Sequence, residues 1–457
     1  MFFQHIYDKT LAQASYIIGC QKTGEALVLD AQRDVDVYIQ IAKQNKLNIT
    51  HIAETHIHAD FLCGSRELAA LTGAKMYLSD EGGADWQYEF PHIGLKHHDK
   101  FNVGNLTFEV LHTPGHTPES ISFLLTDNPS SPQPVMIFTG DFVFVGDIGR
   151  HDLLEKAAGL IGTKEEGAKQ MFRSLKEFYN LPDYIQLWPA HGAGSACGKA
   201  LGAVPGSTVG YEKIRNWAFN FKNNEPAFVN ALLDGQPEPP KYFAMMKKLN
   251  KSERKLLPEI PKIPKLTSEQ FQKAYADGLT IIDTRNKIDF ANSFIPGTIN
   301  IQNNNSLATF AGWFLNYTEQ FVLIVNDDEI ENVTRKLMRI GLDNIYGYVS
   351  DENQGINLQS LNVIGHEQMK SYLKDKEIKI LDVRGINEYN DFHIEGAEHF
   401  FLGTIPENIH KLNPESKYIV YCQAGDRASI AHSLLYKNGF SKIYNYSGGI
   451  NEWLKLK

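Results

Sequence analysis

A stretch of the chain is written twice. The segment IIDTRNKIDFANSFIPGTINI beginning at Ile281 returns as ILDVRGINEYNDFHIEGAEHF beginning at Ile380. Asp283 answers Asp382, Arg285 answers Arg384, and Gly297 answers Gly396. A helical pattern precedes each copy (LTSEQFQKAY and GHEQMKSYL). An apolar strand follows each (QFVLIV and KYIVYC), then an amphipathic helix and a GL or GF turn. The period is roughly a hundred residues. Strand–helix alternation of this kind implies a parallel sheet with helices on both faces. Two α/β domains are therefore expected, at 266–350 and 361–457.

The copies differ where chemistry would sit. In the second, Cys422 stands where a strand ends and a helix begins, in the loop Cys422-Gln423-Ala424-Gly425-Asp426-Arg427. Consecutive backbone amides around Gly425, the start of the next helix and Arg427 all favour an anionic sulfur. A cysteine that accepts and passes on sulfur needs that environment. In the first copy the same place reads Val325-Asn326-Asp327-Asp328-Glu329. Neither Val325 nor Asn326 is a sulfur nucleophile, and three acids would repel a sulfur anion. No glycine opens that loop and no arginine closes it. Residues 266–350 are read as an inactive copy, serving packing, spacing or dimer contact.

The first half alternates short β-rich runs with helical patterns. EALVLDA, NITHIAETH, NLTFEVLHT, VMIFTGD and YIQLWPAH all read as strands. Several end on His or Asp where a turn begins, as in scaffolds that present reactive groups beyond rigid strands. His56, His58 and Asp60 follow one strand, His112 ends another, and Asp141 and His191 end two more. Imidazoles and carboxylates converging from separate strand ends suit a first-row transition metal. Between Met246 and Lys265 the chain turns Lys-rich and then Pro-rich, which reads as an extended connector after a domain spanning 1–245.

Composition narrows the setting. At 457 residues the chain exceeds one hydrophobic core. A net charge of −9 argues against nucleic-acid binding. The four cysteines form no CxxC pair and suggest a reducing compartment; Cys20 and Cys63 read as core thiols. With no signal-peptide pattern and no apolar run of membrane length, the expected location is cytoplasmic, with no membrane partner.

The HxHxD, His, Asp, His series resembles the metallo-β-lactamase superfamily over roughly residues 1–245, which implies an αββα sandwich. Relatives of the glyoxalase II kind usually read HxHxDH and hold two metals, but here Phe61 follows Asp60. That departure counts against a two-metal thioester hydrolase, the rival enzymatic reading. Gly140-Asp141 followed by Gly149-Arg150-His151-Asp152 is similar to the persulfide dioxygenase branch. The resemblance implies one Fe(II) per chain, held by His56, His112 and Asp141. His58, Asp60 and His191 then surround it and orient ligands and water, and His116 is structural. Arg150 is placed against the anionic end of the substrate, with a structural salt bridge to Asp152 or a neighbour as the alternative. Cys197 lines the pocket and carries sulfur, or is a plain buried thiol.

From about Leu361 onward, LDVR, HIEGA, the cysteine loop and SGGINEW resemble rhodanese sulfurtransferases, which assigns Cys422, Gly425 and Arg427 to the reaction. Four residues separate Cys422 from Arg427, a tighter loop than cysteine-dependent phosphatases use. Together the resemblances imply oxidation of a low-molecular-weight thiol persulfide by O₂ to sulfite. Sulfur transfer through Cys422 would then form or consume thiosulfate. A homo-oligomer, dimer or tetramer, is implied. The thiol (glutathione, coenzyme A or bacillithiol) stays open, as does a non-catalytic sulfur carrier or sensor.

Overall fold

The computed structural model describes residues 1–151, 163–199, 201–236 and 238–456. The chain divides into two compact units. One is Met1–Ile260 with Met338–Gly341; the other is Pro261–Leu337 with Leu342–Lys457.

The first unit is built on two six-stranded sheets in which spatial order follows chain order. One runs from Phe2–Asp8 through Gln13–Cys20, Glu25–Leu29, Asn48–Ala53 and Lys75–Ser79 to Ile93–Leu95. The other runs from Lys100–Val103 through Leu106–His112, Ile121–Asp127, Met136–Gly140 and Gln186–Pro189 to Ser207–Thr208. Side chains alternate along each strand, and both faces of the inner strands are apolar. Tyr16, Ile18, Leu27 and Leu29 share one core with Phe108, Val110, Phe123 and Phe138 from the second sheet. The alternate residues Ile17, Val28 and Ile52 face Val35, Tyr38 and Leu68 on the outer helical side. Ile137 and Leu187 likewise pack under Met171, Phe172 and Leu175 of the helix Thr163–Tyr179. The result is the αββα arrangement expected from the sequence.

Strands Asn48–Ala53, Met136–Gly140 and Gln186–Pro189 all end at one edge of this sandwich. Gly140 is opposite Pro189 in a parallel pair, and the Ile121 amide donates to the Thr55 carbonyl at 2.8 Å. The residues just beyond these strand ends therefore meet.

The stretch read as a connector is only partly extended. Phe243–Lys251 is a helix, because Phe243, Met246 and Asn250 recur on one face and are buried there. From Ser252 to Pro264 the chain then runs without helix or strand. No described helix is long and apolar enough to cross a membrane.

In the second unit both copies of the repeat form fully parallel sheets. The first is ordered Ile299–Asn300, Thr280–Asp283, Phe321–Ile324, Ile345–Val349. The second is ordered Asn362–Ile364, Ile443–Tyr446, Lys417–Tyr421, Ile378–Asp382, Ala397–His399. The Thr284 amide donates to the Ile324 carbonyl at 3.0 Å, and the Val383 amide to the Tyr421 carbonyl at 3.1 Å. This matching register puts Val325 at the place Cys422 occupies in the second sheet.

Candidate active sites: a buried ligand cluster and a cysteine loop

At the edge of the sandwich, donor atoms of His56, His116 and Asp141 lie within 4.8 Å of one another, and so do those of Asp60, His191 and Cys197. All six residues are buried. The sets adjoin through Asp141. One of its oxygens is 3.4 Å from His116 Nε2 and 3.9 Å from His56 Nε2, and the other is 3.4 Å from His191 Nε2. His191 Nε2 is also 3.3 Å from Asp60.

The rings are turned for ligation. Thr55 Oγ1 donates to Asp30 at 3.0 Å and so accepts from His56 Nδ1 at 3.0 Å. His116 Nδ1 donates to the Arg150 carbonyl, and His191 Nδ1 to the Ala12 carbonyl at 3.0 Å. In each ring the proton then sits on Nδ1, and the Nε2 lone pair faces the cluster. Burial, then the neighbouring His58, His116 and His191, holds His56 well below the usual imidazole range; burial also lowers His116. Both therefore stay neutral, the form that ligates.

His56 Nε2, His191 Nε2 and both oxygens of Asp60 and Asp141 are buried with no hydrogen-bond partner among the described residues. Leaving one buried polar group unpaired costs about 1–3 kcal/mol. So many at one point fit a cationic guest, and two imidazoles with one carboxylate form the donor set that holds Fe(II) with positions left open.

The cluster corrects one assignment. His112, expected as a ligand, is half-buried and its Nε2 donates to the Pro118 carbonyl at 2.8 Å. It ends the strand Leu106–His112, ahead of the turn that carries His116 to the cluster, and its Nε2 is already engaged by that carbonyl. His116, expected to be structural, reaches the cluster after the Pro114-Gly115 turn. Gly115 has φ +148°, and a Cβ there would come within 2.6 Å of Met171. Only glycine lets this turn pass the helix so closely.

The other expected residues fall as follows. His58 Nε2 donates to Asp30 at 3.0 Å; burial alone would lower this imidazole, but Asp30 and Asp60 raise it to about 9. Phe61 is fully buried with its ring 4.5 Å from His58. Cys197 joins Asp60 and His191; burial, then Asp141 and Asp60, pushes its thiol well up. Arg150 is fully buried and donates to the carbonyls of the Cys197 loop, to Cys197 from its amide at 3.0 Å and to Ala196 from its guanidinium at 3.2 Å. Its proposed alternative partner Asp152 lies outside the described residues.

Two positioning residues escaped the sequence reading. Asp30 accepts from the Thr55 amide, the Thr55 hydroxyl and His58. Asn250 donates to the carbonyls of His58 (2.7 Å) and Phe61 (2.8 Å) and accepts from the Cys63 amide (2.8 Å). Asp30 did end a recognised strand run, which was a signal. Asn250 gave none, being far away in sequence within an apparent connector.

In the second unit, Cys422 follows the strand Lys417–Tyr421. The Gly425 amide donates to its sulfur at 3.1 Å. Gly425 has φ +95°, and a Cβ there would meet the Ser447 carbonyl at 2.4 Å, so the loop requires glycine. The helix Asp426–Lys437 starts immediately after. Arg427 grips Glu388 with two bonds, of 2.5 and 2.7 Å. Burial disfavours the charged guanidinium, but Glu388 and Cys422 outweigh it and hold the proton more tightly.

Comparison with known proteins divides along the same line. The Metallo-beta-lactamase superfamily profile matches residues 9–191, and the Rhodanese-like domain profile matches residues 366–456. A crystal structure titled metallo-beta-lactamase from Staphylococcus aureus subsp. aureus COL is 46% identical. It aligns with 76% of this chain and 98% of its own, at a TM-score of 0.69. The mitochondrial persulfide dioxygenase ETHE1 of Bos taurus is 28% identical over 200 residues, 42% of this chain and 68% of its own length. The putative sulfur carrier protein YrkF of Bacillus subtilis is 33% identical over 103 residues, 22% of this chain and 56% of its own length.

Proposed function

This chain belongs to the metallo-beta-lactamase superfamily and carries a C-terminal rhodanese-like domain, and we propose that it oxidises a small thiol persulfide and also transfers sulfur through Cys422. The observation that carries the first half is the His56, His116, Asp141 donor set, in which Nδ1 of both rings is held from behind and His56 Nε2 and both Asp141 oxygens have no hydrogen-bond partner among the described residues. Its likeness to persulfide dioxygenases supports the substrate class.

These three residues would hold one Fe(II), which supplies a site where O₂ and a sulfur anion meet. The reaction is RSSH + O₂ + H₂O → RSH + SO₃²⁻ + 2 H⁺. The outer sulfur is oxidised by four electrons and O₂ is reduced. The protein's own contribution is orientation and a dry pocket. Asp30 through Thr55 fixes the His56 ring, and the Arg150 carbonyl fixes His116. Phe61 closes the space beside His58. Cys197, its thiol kept protonated, forms part of the wall.

At the second site the Cys422 thiolate attacks the outer sulfur of a persulfide: Cys–S⁻ + RSSH → Cys–SSH + RS⁻. The Gly425 amide stabilises the attacking sulfur. Sulfite then takes the outer sulfur, Cys–SSH + SO₃²⁻ → Cys–SH + S₂O₃²⁻, and the same steps reversed would draw sulfur from thiosulfate.

The donor set of Asp60, His191 and Cys197 favours a second reading, a two-metal thioester hydrolase. Metal content and O₂ uptake with glutathione persulfide, measured on one preparation, separate the two. About one iron per chain with persulfide-dependent O₂ uptake supports the dioxygenase. Two zinc ions per chain with thioester cleavage and no O₂ uptake would replace it by the hydrolase.

A further inference from the structure

The cavity at Cys422 is not closed by its own domain. It measures about 360 Å³ and is lined by Cys422, Gln423, Ala424, Asp426 and Arg427 together with Asn304, Ser306 and Phe310 of the preceding repeat. The wall is built. Lys336, itself buried, donates to the Asn303 side chain at 2.7 Å and to the Asn304 carbonyl at 3.2 Å. The Asn303 amide donates to the Thr284 carbonyl at 2.8 Å. Lys287, also of the preceding repeat, reaches the cysteine loop itself. Its ammonium donates to the Ala424 carbonyl and, at 2.7 Å, to Asp426. Ser429 and Ser433, on the helix after the loop, bond Asn300 at 2.7 and 3.2 Å.

We propose that the cysteine-less repeat supplies one wall of the Cys422 substrate pocket, and that this pocket takes an organic persulfide in preference to a bare inorganic sulfur anion. The proposal rests on the reading of Cys422 as a sulfur carrier. Size and charge carry it. Pockets for organic ligands span roughly 300–1,000 Å³, and this one falls within that range. A thiosulfate ion would leave most of it empty. The cations beside the sulfur are already engaged, Arg427 by Glu388 and Lys287 by Asp426. A dianion would therefore enter against two resident carboxylates. Asn304, Ser306 and Gln423 instead present neutral amide and hydroxyl groups, and Phe310 presents an apolar face. That lining suits the uncharged, peptide-like or aliphatic part of a small thiol. Only the sulfane sulfur passes to Cys422; the S–S bond of the donor breaks, a Cys422 S–S bond forms, and the thiol leaves as its thiolate.

The test loads Cys422 of the full chain from glutathione persulfide and, separately, from thiosulfate, following the persulfide on Cys422 by mass spectrometry of its peptide. Phe310→Ala and Asn304→Ala touch half-buried side chains outside the cores. They are expected to raise the KM for glutathione persulfide about tenfold, with the saturated rate unchanged and thiosulfate loading unmoved. Lys287→Ala is expected to slow the saturated rate with both donors, and Lys287→Arg to restore it. Loading that is indifferent to Phe310 and Asn304 would overturn the proposal while leaving Cys422 a sulfur carrier. A wild-type chain that thiosulfate loads at lower concentration than glutathione persulfide would also overturn it. Loading from neither donor would remove the underlying reading and the proposal with it.

Discussion

The two copies of the repeat keep the same internal brace and differ in the loop beside it. In the first, Arg285 clasps Asp283 through Nε (3.0 Å) and Nη2 (2.6 Å) and reaches the Ser293 carbonyl at 2.9 Å. In the second, Arg384 clasps Asp382 at 2.9 and 2.6 Å and reaches the Phe392 carbonyl at 2.6 Å. The brace joins a strand end to the segment after the following helix, so it belongs to the scaffold. The loop after the third strand carries the chemistry. There Cys422, Gly425 and Arg427 stand against Val325, Asp328 and Ile330-led helix. Shared scaffold with divergent loops shows that this parallel-sheet fold stands with or without a cysteine at that position. Such a copy can still form a wall for its neighbour.

The largest expected effect tests whether the loop, beyond its cysteine, makes the site. Placing Val325→Cys in a Cys422→Ser background should leave sulfur transfer about a thousandfold below wild type, because no glycine amide or arginine awaits the new sulfur. Recovery in a transfer assay with glutathione persulfide would erase the distinction between the copies. Next come the braces. Arg384→Ala should cost about 3 kcal/mol, as expected when one partner of a buried pair is removed. Arg285→Ala should cost less, about 2 kcal/mol, since that arginine is more exposed. Denaturant titration of the full chain checks the order, and a larger loss for Arg285 would mean the copies do not share one brace.

Smaller still is the turn glycine. Gly297 and Gly396 have φ +83° and +80°, with nothing near an added Cβ. Each alanine variant should cost about 1 kcal/mol, equally in the two copies. Unequal losses in thermal melts would show that the turns differ in what surrounds them. Smallest is the Glu388–Arg427 pair. Burial would raise the Glu388 carboxyl, but Arg427 holds it below the usual range. Its stabilisation is thus present above the unfolded carboxyl pKa and fades as pH falls through the lower folded value. Partial exposure limits it to about 0.5–1 kcal/mol. Glu388→Gln should remove that increment at pH 7 and flatten the acid side of the stability curve; an unchanged acid slope would show the pair is screened out.

The sequence carried the layer architecture well, because two-sheet burial leaves apolar runs and the repeat is written out in matching residues. It also carried Cys422, Gly425 and Arg427, which are adjacent in one loop. The ligand cluster was harder. Choosing between His112 and His116 depends on His112 committing its Nε2 to the Pro118 carbonyl and on how closely Gly115 passes Met171, and spacing alone expresses neither. Asn250 shows the other limit. It lies in a Lys-rich stretch that resembles a linker, yet its side chain fixes the HxHxD loop from nearly two hundred positions away. Long-range polar contacts of this kind leave no local pattern.

If the two sites work separately, one crossed assay tells them apart. His116→Ala and Cys422→Ser would be compared with wild type for metal content, persulfide-dependent O₂ uptake with sulfite release, and thiosulfate formed when sulfite is added. His116→Ala should lose metal and O₂ uptake yet still form thiosulfate from added sulfite. Cys422→Ser should do the reverse. A single variant that abolishes both activities in folded protein, or a His116→Ala chain that keeps full O₂ uptake, would contradict this assignment of the two sites.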